Sequence, residues 1–431
     1  MLPITGLHCL SGYRKSSFCL NGENYMTIKT RYYMFILARF ISTFGNWFAS
    51  MAVPFMIYDI TGSAMAVSIS FLLETLPIIL LSPVISYMID HFSRKIILQL
   101  CELISGTAMI LCILTNCNNI YFLYIMCICL STMGFIYNNT INAYIPDICG
   151  DMQLKKANTI DSLASNISMV AAPIIAGWCI QIYGYSLSLE IDAITFGVSI
   201  ILLQFLNSDK REKNSKNKPK IENMILVREG RKLLKKDRFL NSLIIICIMF
   251  SICGAIFSSL DAVYIAEIFN GSSDVYGYIN SAWGIGMLVT SGLYILYKDI
   301  PETVMFSVGI LIMGISTVGY GLSINILVCV LFNFLGGIAN TIYVIYYKSL
   351  IQSRTASNNR GKIFTIQSTL SKVFSMIVVF AAGGLADIFT VRASILMSGC
   401  ITIAIALFSF RILHKSLENV KHHTQSFDQD K

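Results

Sequence analysis

Ser86-Tyr87-Met88-Ile89-Asp90-His91-Phe92-Ser93-Arg94-Lys95 closes one long apolar run, about 64–89, and opens a second, about 95–116. The first of these runs carries a single charged residue, Glu74. A helix crosses the hydrocarbon of a bilayer in about 20 mostly apolar residues, so the decapeptide reads as a short charged turn between two lipid-length rods. The same alternation repeats in both directions along the chain. Apolar segments fall near 33–58, 64–89, 95–116, 119–144, 157–182, 185–206, 239–268, 274–297, 302–322, 324–350, 360–385 and 391–413, which predicts an all-α membrane protein with twelve transmembrane helices. Composition agrees. Of 431 residues 55% are hydrophobic and 13% charged, with mean hydropathy +0.66, whereas soluble domains carry roughly 25% charge. A soluble globule is excluded, and little chain is left for a separate soluble domain.

An even number of spans puts both termini on one side, and basic residues choose it. Loops on the terminal side hold Arg94, Lys95, Lys155, Lys156, Lys298, Arg354, Arg360 and Lys362, whereas the opposite loops hold Arg392 alone. Cytoplasmic termini are therefore expected. The expected organisation is a cytoplasmic tail over 1–30, a six-helix bundle over 31–206, a basic linker over 207–238, a second bundle over 239–413 and a cytoplasmic tail over 414–431. The linker has 12 Lys/Arg against 5 Asp/Glu and so supplies almost all of the net charge of +8. Without interleaved aromatics it offers no platform for nucleic acid and reads as a topology-setting segment beside anionic lipid. Residues 1–30 lack the apolar core of a cleavable signal. Met26 stands five residues before Arg31, near which the first apolar run begins, as an alternative start, which leaves translation of the preceding stretch open.

Several chemistries find no residues to perform them. Nine of the 13 cysteines lie inside apolar runs, where Cys behaves as a small hydrophobe, and no CxxC pair occurs. The five histidines fall outside the apolar segments, so no metal centre is expected. No GxxxxGK[ST] loop occurs, so an ATP-driven pump would need another subunit. A non-enzyme without cofactor is expected.

The halves echo each other. At an offset of 209, Gly45, Phe48, Ser50, Gly62 and Ser63 meet Gly254, Phe257, Ser259, Gly271 and Ser272; at 207, Ser168, Met169 and Gly177 meet Ser375, Met376 and Gly384. Two six-helix bundles around a midplane cavity are the expected result.

The opening decapeptide also resembles the loop signature of the major facilitator superfamily, G-x-x-x-D-[RK]-x-G-R-[RK]. Asp90, Arg94 and Lys95 match, while Ser86, Ser93 and His91 depart from it. In that family the acid and the arginine latch the halves at the cytoplasmic face, which implies a gate at Asp90, Arg94 and Lys95; a solvated positive loop is the alternative. Ser168 to Gly177 looks like a softened antiporter motif, G-x-x-x-G-P-x-x-G-G, in which Pro173, Ala176 and Gly177 would let helices bend and approach closely. Ordinary small-residue packing is the rival reading. Ala38-Arg39, Gly45-Asn46, Tyr58 to Ala64, Glu74-Thr75-Leu76-Pro77, Ile145-Pro146-Asp147, Lys156-Ala157-Asn158 and Arg360-Gly361-Lys362 together resemble the macrolide-efflux and siderophore-exporter branch over about residues 30–410. The resemblance implies the major facilitator fold in a prokaryotic inner membrane, with a proton gradient as energy source.

Charged side chains in lipid cost on the order of 2.5–3.5 kcal/mol each and so are functional suspects. The embedded set is Arg39, Glu74, Glu102, Asp161, Glu190, Asp192, Asp261, Glu267 and Lys372. Glu74, Asp261, Arg39 and Lys372 are the proton-coupling candidates. A carboxyl removed from water prefers its neutral form and a neighbouring cation the ionised one, so substrate arrival would toggle a proton; a permanent structural ion pair is the alternative. Superfamily analogy places spans one, four, seven and ten around the cavity. Ser131, Asn138 and Asn142 share one face of span four, and Asn333, Asn340, Tyr343 and Tyr347 share a face of span ten. Asn46, Trp47, Asn138, Asn340 and Tyr343 are the substrate-cavity candidates beside Asp261, with helix-joining amides as the rival reading. The expected function is proton-coupled export of an amphipathic small molecule, macrolide-like or a siderophore, by a monomer in lipid. Import, lipid flipping, or a non-transporting scaffold or sensor are the alternatives.

Overall fold

The computed structural model describes residues 22–115, 119–149, 154–205, 237–269, 273–293, 300–355, 357–388 and 390–429. Among them are eleven helices: α1 Gly22–Thr61, α2 Ala64–His91, α3 Arg94–Leu114, α4 Ile120–Cys149, α5 Leu154–Gln204, α6 Arg238–Ile268, α7 Ser273–Gly292, α8 Glu302–Leu322, α9 Ile326–Arg354, α10 Ser357–Ile388 and α11 Val391–Gln429. Their starts follow local chemistry. Ser63, Asp237 and Asn325 cap α2, α6 and α9 by accepting from Ala66 N, Leu240 N and Leu327 N, which satisfies amides that a helix leaves unpaired.

Ten of the helices are long and apolar enough to cross a membrane, and the chain is a multi-pass membrane protein. The outward-facing side chains agree: Leu80 is 65% exposed and Leu327 76%, a surface that would aggregate in water and that lipid covers. The two departures from a simple count have local causes. Spans five and six run together as α5, interrupted only at Gly184, whose φ of 79° and ψ of −180° no side-chain-bearing residue adopts readily. In addition, α7 is only 20 residues long, intersperses small and polar side chains among its apolar ones, and falls short on hydropathy. At the ends, α1 begins at Gly22 and α11 continues to Gln429, so backbone expected as tail is helical. The basic linker over 207–238 lies outside the described residues except for its last two.

Among the described residues, three apolar cores organise the fold. One spans both halves and joins Phe48 to Ile57 of α1 with Leu260 to Ile265 of α6 and Val275, Tyr276 and Ile279 of α7. The other two belong to single halves: Phe35, Leu98 and Ile141 on one side, and Leu243, Phe306 and Ile351 on the other. The shared core lies toward the side opposite the chain termini, so the halves close there and part on the terminal side.

A polar contact seals the closed side. The Asp387 carboxylate, at the end of α10, accepts from Ser63 Oγ at 2.6 Å and Ala64 N at 2.6 Å, placing a negative charge on the N-terminus of α2. Nearby, Tyr58 donates to Glu267 across the halves at 3.3 Å. Asp387→Ala should loosen this contact. A cysteine placed at Ser50 should then react about two- to fivefold faster with an impermeant maleimide added from the closed side; an unchanged rate would show that the contact is incidental.

Candidate functional site

A cavity of about 510 Å³ lies between the halves. The N-terminal half supplies Asn46, Trp47 and Ser50 of α1, Phe71 and Glu74 of α2, and Leu130 and Ser131 of α4. Opposite stand Phe257 and Asp261 of α6, Tyr276, Asn280 and Trp283 of α7, and Asn333 of α9. Its charged lining residues are two acids, one from each half. Asp261 is 5% exposed and accepts from the Tyr320 hydroxyl at 2.5 Å. Glu74 has no ion-pair partner among the described residues. Two indoles, three amides and two carboxyls with no basic side chain make a wall suited to a flat, partly apolar molecule bearing a positive charge.

Glu74 also lines a cleft of about 430 Å³ between α2 and α10, and Lys372 lies there with Ser251, Ser258, Gln367 and Ser371. The Lys372 ammonium stands 5.5 Å from the Phe135 ring centroid on the opposite half. Arg39 and Asn138 line a third space, about 300 Å³, inside the N-terminal half, which shares Asn46 and Trp47 with the central cavity. Arg39 Nε pairs with Asp161 Oδ1 at 2.6 Å, with both side chains 13% exposed. Replacing Asp161 with Asn would leave a buried guanidinium unpaired, at a cost of about 3–5 kcal/mol. The thermal midpoint of the purified protein should fall clearly, and the swap Arg39→Asp with Asp161→Arg should restore part of it; an unaltered midpoint would refute a structural role.

The remaining candidates sit elsewhere. Asn340 donates to Met287 Sδ at 3.9 Å. Tyr343 is buried in the core of the C-terminal half, 4.1 Å from the Phe250 ring and 5.2 Å from Tyr347 between centroids. In α9 it is Asn333 that meets the cavity, and its Nδ2 donates to Ile279 O at 2.8 Å, tying α9 to α7. Sequence reasoning missed the α7 wall, although Tyr276, Asn280 and Trp283 recur at i, i+4 and i+7, the spacing of one helical face.

Pro173, Ala176 and Gly177 lie where α5 crosses α7 between the halves. A Cβ on Gly177 would stand 2.5 Å from Ser273 O, and one on Gly277 would stand 2.3 Å from Pro173 O. Ala176 is fully buried in the shared core. At the opposite end the side chain of Asp90 lies outside the described residues. Arg94 donates to Ala143 O and Lys95 to Gln204 O at 2.8 Å, both within the N-terminal half.

Known proteins share this architecture. The chain is 24% identical over 378 residues to the uncharacterized MFS-type transporter YfiS of Bacillus subtilis, covering 86% of this chain and 90% of that one. It is 21% identical over 396 residues to macrolide efflux protein A of Streptococcus pyogenes, covering 89% and 96%. Its fold matches a bacterial homologue of the human lysosomal transporter Spinster, solved in an inward-facing, unoccupied conformation, with a TM-score of 0.69, 14% identity, and coverage of 91% and 98%. The description of the Major Facilitator Superfamily fits residues 35–296 and again 253–429, nearly the entire chain. The chain belongs to the Major Facilitator Superfamily.

Proposed function

We propose that the protein is a proton-coupled exporter of an amphipathic, positively charged small molecule in the cell's inner membrane. The carrying observation is the central cavity, with aromatic and amide walls, one acid from each half and no basic group among its lining residues. Counting α5 as two arms about Gly184 and adding α7 supports a reading of twelve crossings; with the termini taken as cytoplasmic from the basic loops, the parted side faces the cytoplasm. Cargo enters there and rests against Trp47 and Trp283, and its charge is met by Glu74 and Asp261. Rocking of the halves exposes the cavity outside, and protons arriving on these carboxyls displace the cargo. No cofactor is used, and a monomer suffices.

Inverted membrane vesicles test this reading directly. With the interior acidified, a lipophilic cationic dye should accumulate against its gradient and leave on addition of a protonophore. No accumulation above vesicles lacking the protein would refute proton-driven export. The cleft between α2 and α10 favours a second reading, since Lys372 and its hydroxyl neighbours suit an anionic lipid headgroup. Fluorescent phospholipid scrambled or flipped by the purified protein in liposomes, with no dye transport, would select it.

A further inference from the structure

The central cavity does not end at Glu74. Phe71, Glu74 and Ser258 line both it and the cleft of about 430 Å³ between α2 and α10, so the two spaces are continuous. On the closed side α2 and α10 touch, where a Cβ on Gly383 would stand 2.6 Å from Ser68 Cβ. Farther along both helices, toward the parted side, Thr75 and Ile78 of α2 and Ser371 and Lys372 of α10 line open space.

The central cavity is charged by acids alone, and the cleft adds a cation. Lys372 is half-buried, and among the described residues its ammonium forms no ion pair. The Phe135 ring of the opposite half, 5.5 Å from Nζ, faces the charge without neutralising it. Beside it in sequence, Ser371 is 7% exposed and its Oγ accepts from Gln367 Nε2 at 3.1 Å. That bond leaves the hydroxyl hydrogen to donate elsewhere. Other serines of the cleft are already committed: Ser251, Ser368 and Ser375 donate to the carbonyls of Cys247, Thr365 and Ser251. One cleft therefore holds an ammonium and a hydroxyl donor that lack an acceptor among the described residues. An oxyanion satisfies both at once.

We propose that this cleft is an oxyanion subsite of the transport cavity, in which Lys372 and the Ser371 hydroxyl bind a carboxylate or phosphate. The inference deepens the export reading and rests on it. The bound molecule is a zwitterionic amphiphile, its cationic part against Glu74 and Asp261 and its anionic part against Lys372. Glu74, at the junction of the two spaces, turns the anionic end toward the cleft. A phospholipid headgroup offers the same oxyanion chemistry as such a cargo, and the test below separates the two sources.

The experiment uses the full-length protein in a neutral detergent at constant ionic strength, with binding read by fluorescence polarisation. The probes are rhodamine B, a zwitterion at neutral pH, and its ethyl ester, which keeps the cation and masks the carboxylate. The unmodified protein should bind rhodamine B severalfold more tightly than the ester. Lys372→Gln should weaken rhodamine B binding about tenfold and leave the ester unchanged, whereas Lys372→Arg should hold the preference. If Lys372→Gln is not recovered folded, Ser371→Ala keeps the ammonium and should lower the affinity for rhodamine B alone. Submicellar short-chain phosphatidylglycerol that displaces rhodamine B but not the ester assigns the oxyanion to a lipid headgroup; no displacement assigns it to the cargo. Equal affinity of the unmodified protein for the two dyes, or equal loss of both in Lys372→Gln, would overturn the subsite and leave the cationic cavity standing. The export reading fails separately, if the preference holds in detergent and neither dye accumulates in acidified vesicles.

Discussion

Gly277→Val is expected to abolish transport by keeping the halves from closing on the side opposite the termini. A Cβ at this position would lie 2.3 Å from the Pro173 carbonyl oxygen and 3.1 Å from its carbon. These are backbone atoms, and no rotamer change relieves the clash. Only separation of α5 from α7 does, and alternating access supplies that separation in the outward-open state. Overpacking of a tight contact costs about 1–3 kcal/mol, which moves a two-state equilibrium by roughly five- to 150-fold. Dye transport should therefore fall to background, and a cysteine at Ser50 should become reactive from the closed side. Gly254→Ala is the control, since a Cβ there meets nothing within 4 Å and should leave both readouts unchanged. Normal transport by Gly277→Val would mean that the close approach is not part of the cycle.

The second large effect concerns the cavity acids. Glu74→Gln should cut gradient-driven dye accumulation at least tenfold, about 1.4 kcal/mol of lost coupling, because the amide cannot carry a proton across the cycle. Asp261→Asn should do the same while keeping its contact with the Tyr320 hydroxyl. The two rivals, coupling and simple binding, separate in a counterflow assay, in which labelled dye exchanges for unlabelled dye without a gradient. Exchange that survives in Glu74→Gln while accumulation is lost assigns the residue to coupling. Loss of both assigns it to cargo binding. Retention of both in each variant would remove these acids from the mechanism.

Much of the fold was legible because lipid imposes a harsh filter on sequence. The run expected near 239–268 is observed as Arg238–Ile268, and that near 302–322 as Glu302–Leu322, since few patterns other than a long apolar helix satisfy every backbone group in hydrocarbon. The site was legible only in part. Asn46, Trp47, Glu74 and Asp261 meet in one cavity, as deeply placed polar groups must face protein or water. Helical spacing alone does not say which face of α9 turns inward. Asn333 reaches the cavity, whereas Tyr343 stacks in a core among Phe250, Phe306 and Tyr347. The pairing of Arg39 with Asp161, 122 positions apart, is a tertiary fact that no local pattern announces. The α7 wall was overlooked because the superfamily analogy drew only spans one, four, seven and ten around the cavity, whereas Tyr276, Asn280 and Trp283 of α7 line it as well.

Paired spin labels on a cysteine-free protein in liposomes test the rocking of two halves most directly. One pair, at Ile60 and Ile388, spans the closed side; the other, at Phe92 and Ser353, spans the parted side. Acidification and cationic dye should shift populations so that the first distance lengthens while the second shortens, in opposite senses and to matched extents. Distances that stay fixed under every condition, or that change together in the same sense, would contradict alternating access by this chain.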